Sequence, residues 1–68
     1  MKISARNALN GKITKVIKGN TTAHVLIDVT GGVITAAITN EAAEELMLKE
    51  GQDAAAIIKA SDVMVGVE

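Results

Sequence analysis

Residues 22–29 alternate without a break. Ala23, Val25, Ile27 and Val29 face one way, and Thr22, His24, Leu26 and Asp28 face the other. A period of two is the mark of a strand with one buried face. Gly31-Gly32 follows, and a two-residue hairpin loop of the primed types needs positive φ. Residues 33–39 then return as a second strand, with Ile34, Ala36 and Ile38 on one face. This hairpin fixes the middle of the chain as β, and the flanking segments have to be read against it.

Upstream, residues 2–9 read as an extended arm with Ile3 and Leu9 as apolar anchors and Arg6-Asn7 in its middle. Asn10-Gly11 is a turn or bulge signal. Residues 11–17 resume as a strand of imperfect alternation. Ile13 and Ile17 share a face while Val16 takes the other, as in a bulged or two-sided strand. Lys18-Gly19-Asn20 is the next turn. Downstream, Thr39 or Asn40 caps a short helix over 41–48. Glu41 lies in its first turn, where the helix dipole favours an acid. Ala42, Ala43, Leu46 and Met47 make the helix's apolar side, and Gly51 lies where a C-terminal cap usually sits. Residues 54–60 are a fourth strand and 62–67 a fifth, with Val63, Val65 and Val67 on one face. Three strands, a helix and two strands predict an all-β, five-stranded Greek-key barrel of the OB type. A small SH3-like barrel is the competitor.

The 68 residues leave room for one domain, 1–68. A domain of this size buries only ~60 % of the surface its unfolded chain exposes. Disulfides, a structural metal or oligomerisation usually make up the difference. With no Cys, disulfides and thiolate metal sites are excluded, and the lone His24 makes no zinc site by itself. The hydrophobic fraction is 49 %, yet Phe, Tyr and Trp are absent. The core must come from Val, Ile, Leu, Met and many Ala, which fill little volume each, so the sequence predicts an obligate oligomer. Net charge is −1, from 7 basic and 8 acidic residues. A nucleic-acid binder would show a basic excess or stacking aromatics. No apolar run approaches the ~20 residues that span a bilayer, and no signal-peptide core opens the chain. A cytoplasmic protein with neither nucleic-acid nor membrane partner is the expectation.

Nothing in the chain demands catalysis. There is no Cys nucleophile, and Ser4 and Ser61 have no base near them in sequence. His24 lies mid-strand, and Glu41, Glu44, Glu45 and Glu50 read as the solvated side of the helix. Gly31-Gly32 is not followed by a helix, so it is a hairpin and not a phosphate loop. Two segments differ from this background: Ile3-Ser4-Ala5-Arg6-Asn7 and Ile58-Lys59-Ala60-Ser61. Each sets a hydroxyl and a cation beside small residues and contains no acid. On an extended strand, residues two apart share a side, so Ser4 would stand with Arg6 and Lys59 with Ser61. Two exposed cation–hydroxyl pairs with no ligand are the plainer reading. The alternative is a small tetrahedral oxyanion. Once deprotonated it has only acceptor oxygens, so every partner must donate.

These segments, with Leu9-Asn10-Gly11-Lys12, the Lys18-Gly19 turn and Asp62-Val63-Met64 after the second, resemble the molbindins. Molbindins are stand-alone members of the molybdate-binding Mop domain family, related to the TOBE domains of molybdate transporters and regulators. The resemblance spans essentially the whole chain, and its opening Met1-Lys2-Ile3-Ser4-Ala5-Arg6-Asn7 and closing Ile58-Lys59-Ala60-Ser61 are fairly specific. It implies an OB-type barrel and a homohexamer built as a trimer of dimers with a strand exchanged between partners. It implies molybdate or tungstate as ligand, held at subunit interfaces, with no catalytic cofactor. Carried onto this chain, the main site would use Ser4, Arg6 and Asn7 with Lys59, Ala60 (through its backbone) and Ser61. A second class of site near the threefold axis would draw on Gly19, Asn20, Thr21 and Thr22.

The expected role is therefore intracellular storage and homeostasis of molybdate, not an enzyme. A dianion buried between subunits needs compensating charge and a full donor set. Arg6 and Lys59 supply both charges. No side chain would coordinate the metal directly, since it arrives as an oxyanion. Selectivity over sulfate would come from size, because the charges match. Two other functions compete: a molybdate-sensing interaction module, and an OB-fold that binds nucleic acid.

Overall fold

The computed structural model describes residues 2–68; Met1, the first residue of the opening motif, lies outside them. Four strands form one antiparallel sheet: β1 (Asn7–Lys18), β2 (Thr22–Val29), β3 (Gly32–Thr39) and β4 (Asp53–Ile58). Their order is β3-β2-β1-β4. One helix, α1 (Asn40–Glu45), links β3 to β4, and a single 3₁₀ turn (Ala60–Asp62) follows β4.

The hairpin of β2 and β3 forms as the alternation predicts, with Val25 opposite Ala36 and Ile27 opposite Ile34. The two-residue loop is Thr30-Gly31 and not Gly31-Gly32: Gly31 takes φ +92, while Gly32 already pairs with Val29 in β3. The inward residues Ala23, Val25 and Ile27 are buried, and Ile13 and Ala56 join them from β1 and β4. His24 lies on the outward face, opposite Ile17 and Ala37. The core is small because its members are small. Only Ile13 and Val25 are large and fully enclosed. A cleft lies against one side of it, with the partly buried Ala36, Ile38 and Leu48 in its lining.

β1 carries the expected bulge, where the register against β2 shifts between Ile13 and Lys15. A bulge turns backbone groups away from the partner strand. Those of Ile13 are taken up by the loop before β4: its N–H donates to the Gln52 carbonyl (2.9 Å), and its carbonyl accepts from Gly51 N–H (2.7 Å). Asn10-Gly11 is no turn: both residues lie inside β1, paired with Ala55 and Ala54. The glycine serves close approach instead, since a Cβ at Gly11 would lie 2.2 Å from the Asp28 carbonyl oxygen.

Three further expectations need correction. The arm is shorter than 2–9, because β1 begins at Asn7, and Ile3 and Leu9 are nearly half exposed. The helix stops at Glu45, not at 48, although Thr39 caps it as expected by accepting from Ala42 N–H. Its end is a Schellman motif: Met47 N–H donates to Glu44 and Leu48 N–H to Ala43. Met47 occupies the left-handed position at φ 52 and is largely exposed, so Gly51 is not the cap, while Leu46, also largely exposed, edges the cleft over the core. Last, residues 62–67 form no fifth strand. A strand needs a neighbour to bond to, and this segment has none, leaving Val65 and Val67 90 % and 94 % exposed.

Candidate functional site

The two acid-free segments meet at one end of the β1–β4 ladder. Its last rung pairs Asn7 with Ile58. Asn7 reinforces that rung, its Nδ2 donating to the Ile58 carbonyl at 3.1 Å. Arg6 lies just before the rung on one strand and Lys59 just after it on the other. Both cations, Ser4 and Ser61 are exposed. The structure therefore joins the two segments within a single chain at the Asn7–Ile58 rung, with Asn7 as the clip.

The route to that meeting differs from simple strand alternation. Residues 2–6 are not in a strand, and β4 ends at Ile58. Lys59 instead opens the 3₁₀ turn, whose bonds run from Asp62 N–H to Lys59 and from Val63 N–H to Ala60. The first N–H groups of any helical turn lack partners within it. Among the described residues, the Ala60 and Ser61 N–H groups indeed have none. Beside the Lys59 ammonium, the turn thus offers two main-chain donors and the Ser61 hydroxyl, all suited to an acceptor-only ligand. The charge balance agrees. The ion pairs among the described residues are Lys12–Asp53 (2.6 Å) and Lys18–Glu44 (3.5 Å). Arg6 and Lys59 have no acidic partner among the described residues.

The turn at 19–22 joins β1 to β2 and is closed by Gly19 N–H donating to the Thr22 carbonyl (2.8 Å). Among the described residues, Asn20 and Thr21 N–H have no partner. An adjoining cleft is lined by Asn20, Thr21, Thr39, Asn40 and Glu41. Behind that lining, Asn40 Oδ1 is buried without a hydrogen-bond partner among the described residues. The described residues contain no cluster of three or more His, Cys, Asp or Glu side chains placed to hold a metal ion.

The model of the TOBE domain family matches residues 3–65. This chain belongs to the TOBE family. A probable molybdenum-pterin-binding protein of Haemophilus influenzae is 51 % identical over 69 aligned positions that span all of both chains. Among solved structures, a molybdate-binding protein from Sporomusa ovata superposes with TM-score 0.93 at 34 % identity, covering 98 % of this chain and 100 % of that one. The cytoplasmic molybdate-binding protein ModG, with molybdate bound, superposes with TM-score 0.94 at 43 % identity. The domain is wholly covered in that match and spans 49 % of the ModG chain.

These likenesses place the domain with the molbindins and make its sheet an OB-type fold, with four strands in the chain itself. The relatives are named as binding proteins. No helix of the domain, among the described residues, is long and apolar enough to cross a membrane. Asn40 is the residue whose part in this region the sequence conceals. Beside Thr39 it reads as a helix cap. In the fold its side chain reaches back across the β1–β2 turn, a contact between residues 21 positions apart.

Proposed function

We propose that this TOBE domain binds molybdate, and tungstate as its near-isostere, at sites between copies of the chain, and serves intracellular storage and homeostasis of the anion. The observation that carries the proposal is the Asn7–Ile58 rung, which sets Arg6 and Lys59 each next to one ladder end, both without an acidic partner among the described residues. A dianion supplies the charge they lack. Ser4, Arg6, Lys59 and Ser61 donate from side chains, and Ala60 donates through its backbone. Asn7 acts chiefly by holding the two segments together. The turn of Gly19, Asn20, Thr21 and Thr22 is the second site. The names of the relatives, which bind molybdate or molybdenum-pterin, support the ligand class.

Self-association follows from exposure. The four donor side chains of the main site are open to water in a single chain, whereas selective anion binding needs a drier, closed pocket. The unpaired segment 63–67 and the open cleft over the core offer an apolar surface to a second copy. A homohexamer with exchanged strands is the assembly proposed. The role is binding and not catalysis, in the cytoplasm, as ModG is described.

The test is Arg6→Ala and Lys59→Ala, read by molybdate titration. A charge-assisted hydrogen bond contributes ~1.5–3 kcal/mol. Each variant should bind about 10- to 150-fold more weakly, with secondary structure unchanged. Wild-type affinity in both would overturn the site.

A further inference from the structure

Three links tie α1 to the β1–β2 turn. Asn40 Nδ2 donates to the Gly19 carbonyl at 2.9 Å. The Asn40 main-chain N–H donates to the Thr21 carbonyl, also at 2.9 Å. Lys18, one residue before the turn, pairs with Glu44 on the helix at 3.5 Å. Two of the turn's carbonyls are thereby fixed by a single residue. A third bond, from Gly19 N–H to Thr22, closes the loop on itself. Among the described residues, the N–H groups of Asn20 and Thr21 have no partner.

A short, polar, exposed turn has no packing of its own to hold it. Without the Asn40 side chain, the Gly19 carbonyl is free to turn, and the peptide that it shares with Asn20 turns with it. That peptide carries the Asn20 N–H. The orientation of a donor at the proposed second site is therefore set by a side chain on a different element. The geometry has a cost that points the same way. Asn40 Oδ1 is buried without a partner among the described residues. Rotating the amide to satisfy it would surrender the bond to Gly19.

We propose that Asn40 is a positioning residue for the anion-holding turn. It does not touch the anion. It fixes the Gly19–Asn20 peptide so that the free N–H groups stand ready, and α1 is the platform that holds Asn40. This rests on the turn at 19–22 being the second oxyanion site.

The experiment is an amide ¹H–¹⁵N titration with molybdate, run on the wild-type oligomer, Asn40→Ala and Asn40→Leu. Asn40→Leu keeps the side chain's branched shape, adds no charge and lacks the Nδ2 donor. In the wild type, the Asn20 and Thr21 amides should move on titration, as should Ala60 and Ser61. In both variants the first pair should respond at least tenfold more weakly, while the second pair keeps its wild-type midpoint. A merely structural role for Asn40 would lower thermal stability and leave the ratio of the two midpoints unchanged, and that result overturns the proposal. If wild-type Asn20 and Thr21 do not respond at all, the turn is no anion site and the proposal falls with it. Should Asn40→Ala fail to fold, Asn40→Leu alone decides by the same ratio.

Discussion

Gly11 is fixed by contact and not by conformation. It pairs with Val29 on one side and Ala54 on the other, in the middle of β1. A Cβ there would stand 2.2 Å from the Asp28 carbonyl oxygen and 3.0 Å from Val29 Cγ1. The first of these is backbone in a central strand, which cannot swing aside as a side chain would. Overpacking of this kind costs ~1–3 kcal/mol. Gly11→Ala should lower the denaturation midpoint accordingly, and unchanged stability would show that β1 and β2 separate freely at that rung. Asp53 makes a contrasting prediction one strand away. Lys12, donating a hydrogen bond to it and adding its charge, holds the Asp53 carboxyl below the ordinary 3.8. A lowered folded-state value stabilises above the ordinary one and loses that effect as pH falls below 3.8. The carboxylate is fully exposed, so salt screens the pair. Asp53→Asn should therefore leave little trace at neutral pH in high salt. What difference exists should appear at low salt and vanish in acid; a difference that persists in strong salt would mean Asp53 acts through packing.

At the scale of elements, the end of α1 is where the sequence misleads. Schellman motifs favour Gly at the left-handed residue, because other side chains crowd the carbonyl there by ~1–2 kcal/mol. Met47 occupies it with its side chain 76 % exposed, so little packing offsets the crowding. Met47→Gly should raise stability by about 1 kcal/mol, measured by denaturant titration at fixed protomer concentration. A loss would mean that the methionine side chain makes a contact in the assembly that outweighs the strain. The same exchange of roles explains what was legible. β2 and β3 were plain because one face of each is buried and alternation records burial. The helix end was misplaced because a methionine does a glycine's work, and Gly51 marks a loop bonded to Ile13. Asn10-Gly11 looked like a turn because a glycine needed for close approach carries the same letter as one needed for positive φ. At the site, the composition of both acid-free segments survived, but their strand spacing did not. Ala60–Asp62 is a 3₁₀ turn, and its free N–H groups follow from backbone geometry that no residue type announces. Asn40 was hidden for a different reason, since its contact with Gly19 exists only once the helix is docked.

For the molecule as a whole, burial falls short in one chain. The buried residues are few, and three of the six are Ala. Meanwhile Met64, Val65 and Val67 stand at least 90 % exposed. A chain so constituted gains by closing on copies of itself, and an anion held between copies, as proposed, would join that closure to ligand concentration. Anything bound by the assembled state and not by the unfolded chain stabilises by RT ln(1 + [L]/Kd), about 2.7 kcal/mol at a hundredfold excess over Kd. Molybdate at that excess should raise the thermal midpoint of the wild-type protein and shift its oligomer equilibrium toward the larger species. Sulfate carries the same charge on a smaller tetrahedron, so at equal concentration it should do much less if a fitted pocket makes the distinction. Arg6→Ala should flatten the molybdate response toward that of sulfate. A thermal midpoint that rises equally with both anions, and equally in Arg6→Ala, would reduce the effect to general salt action on the folded state, and would leave Arg6 and Lys59 as two exposed cations at the end of a strand.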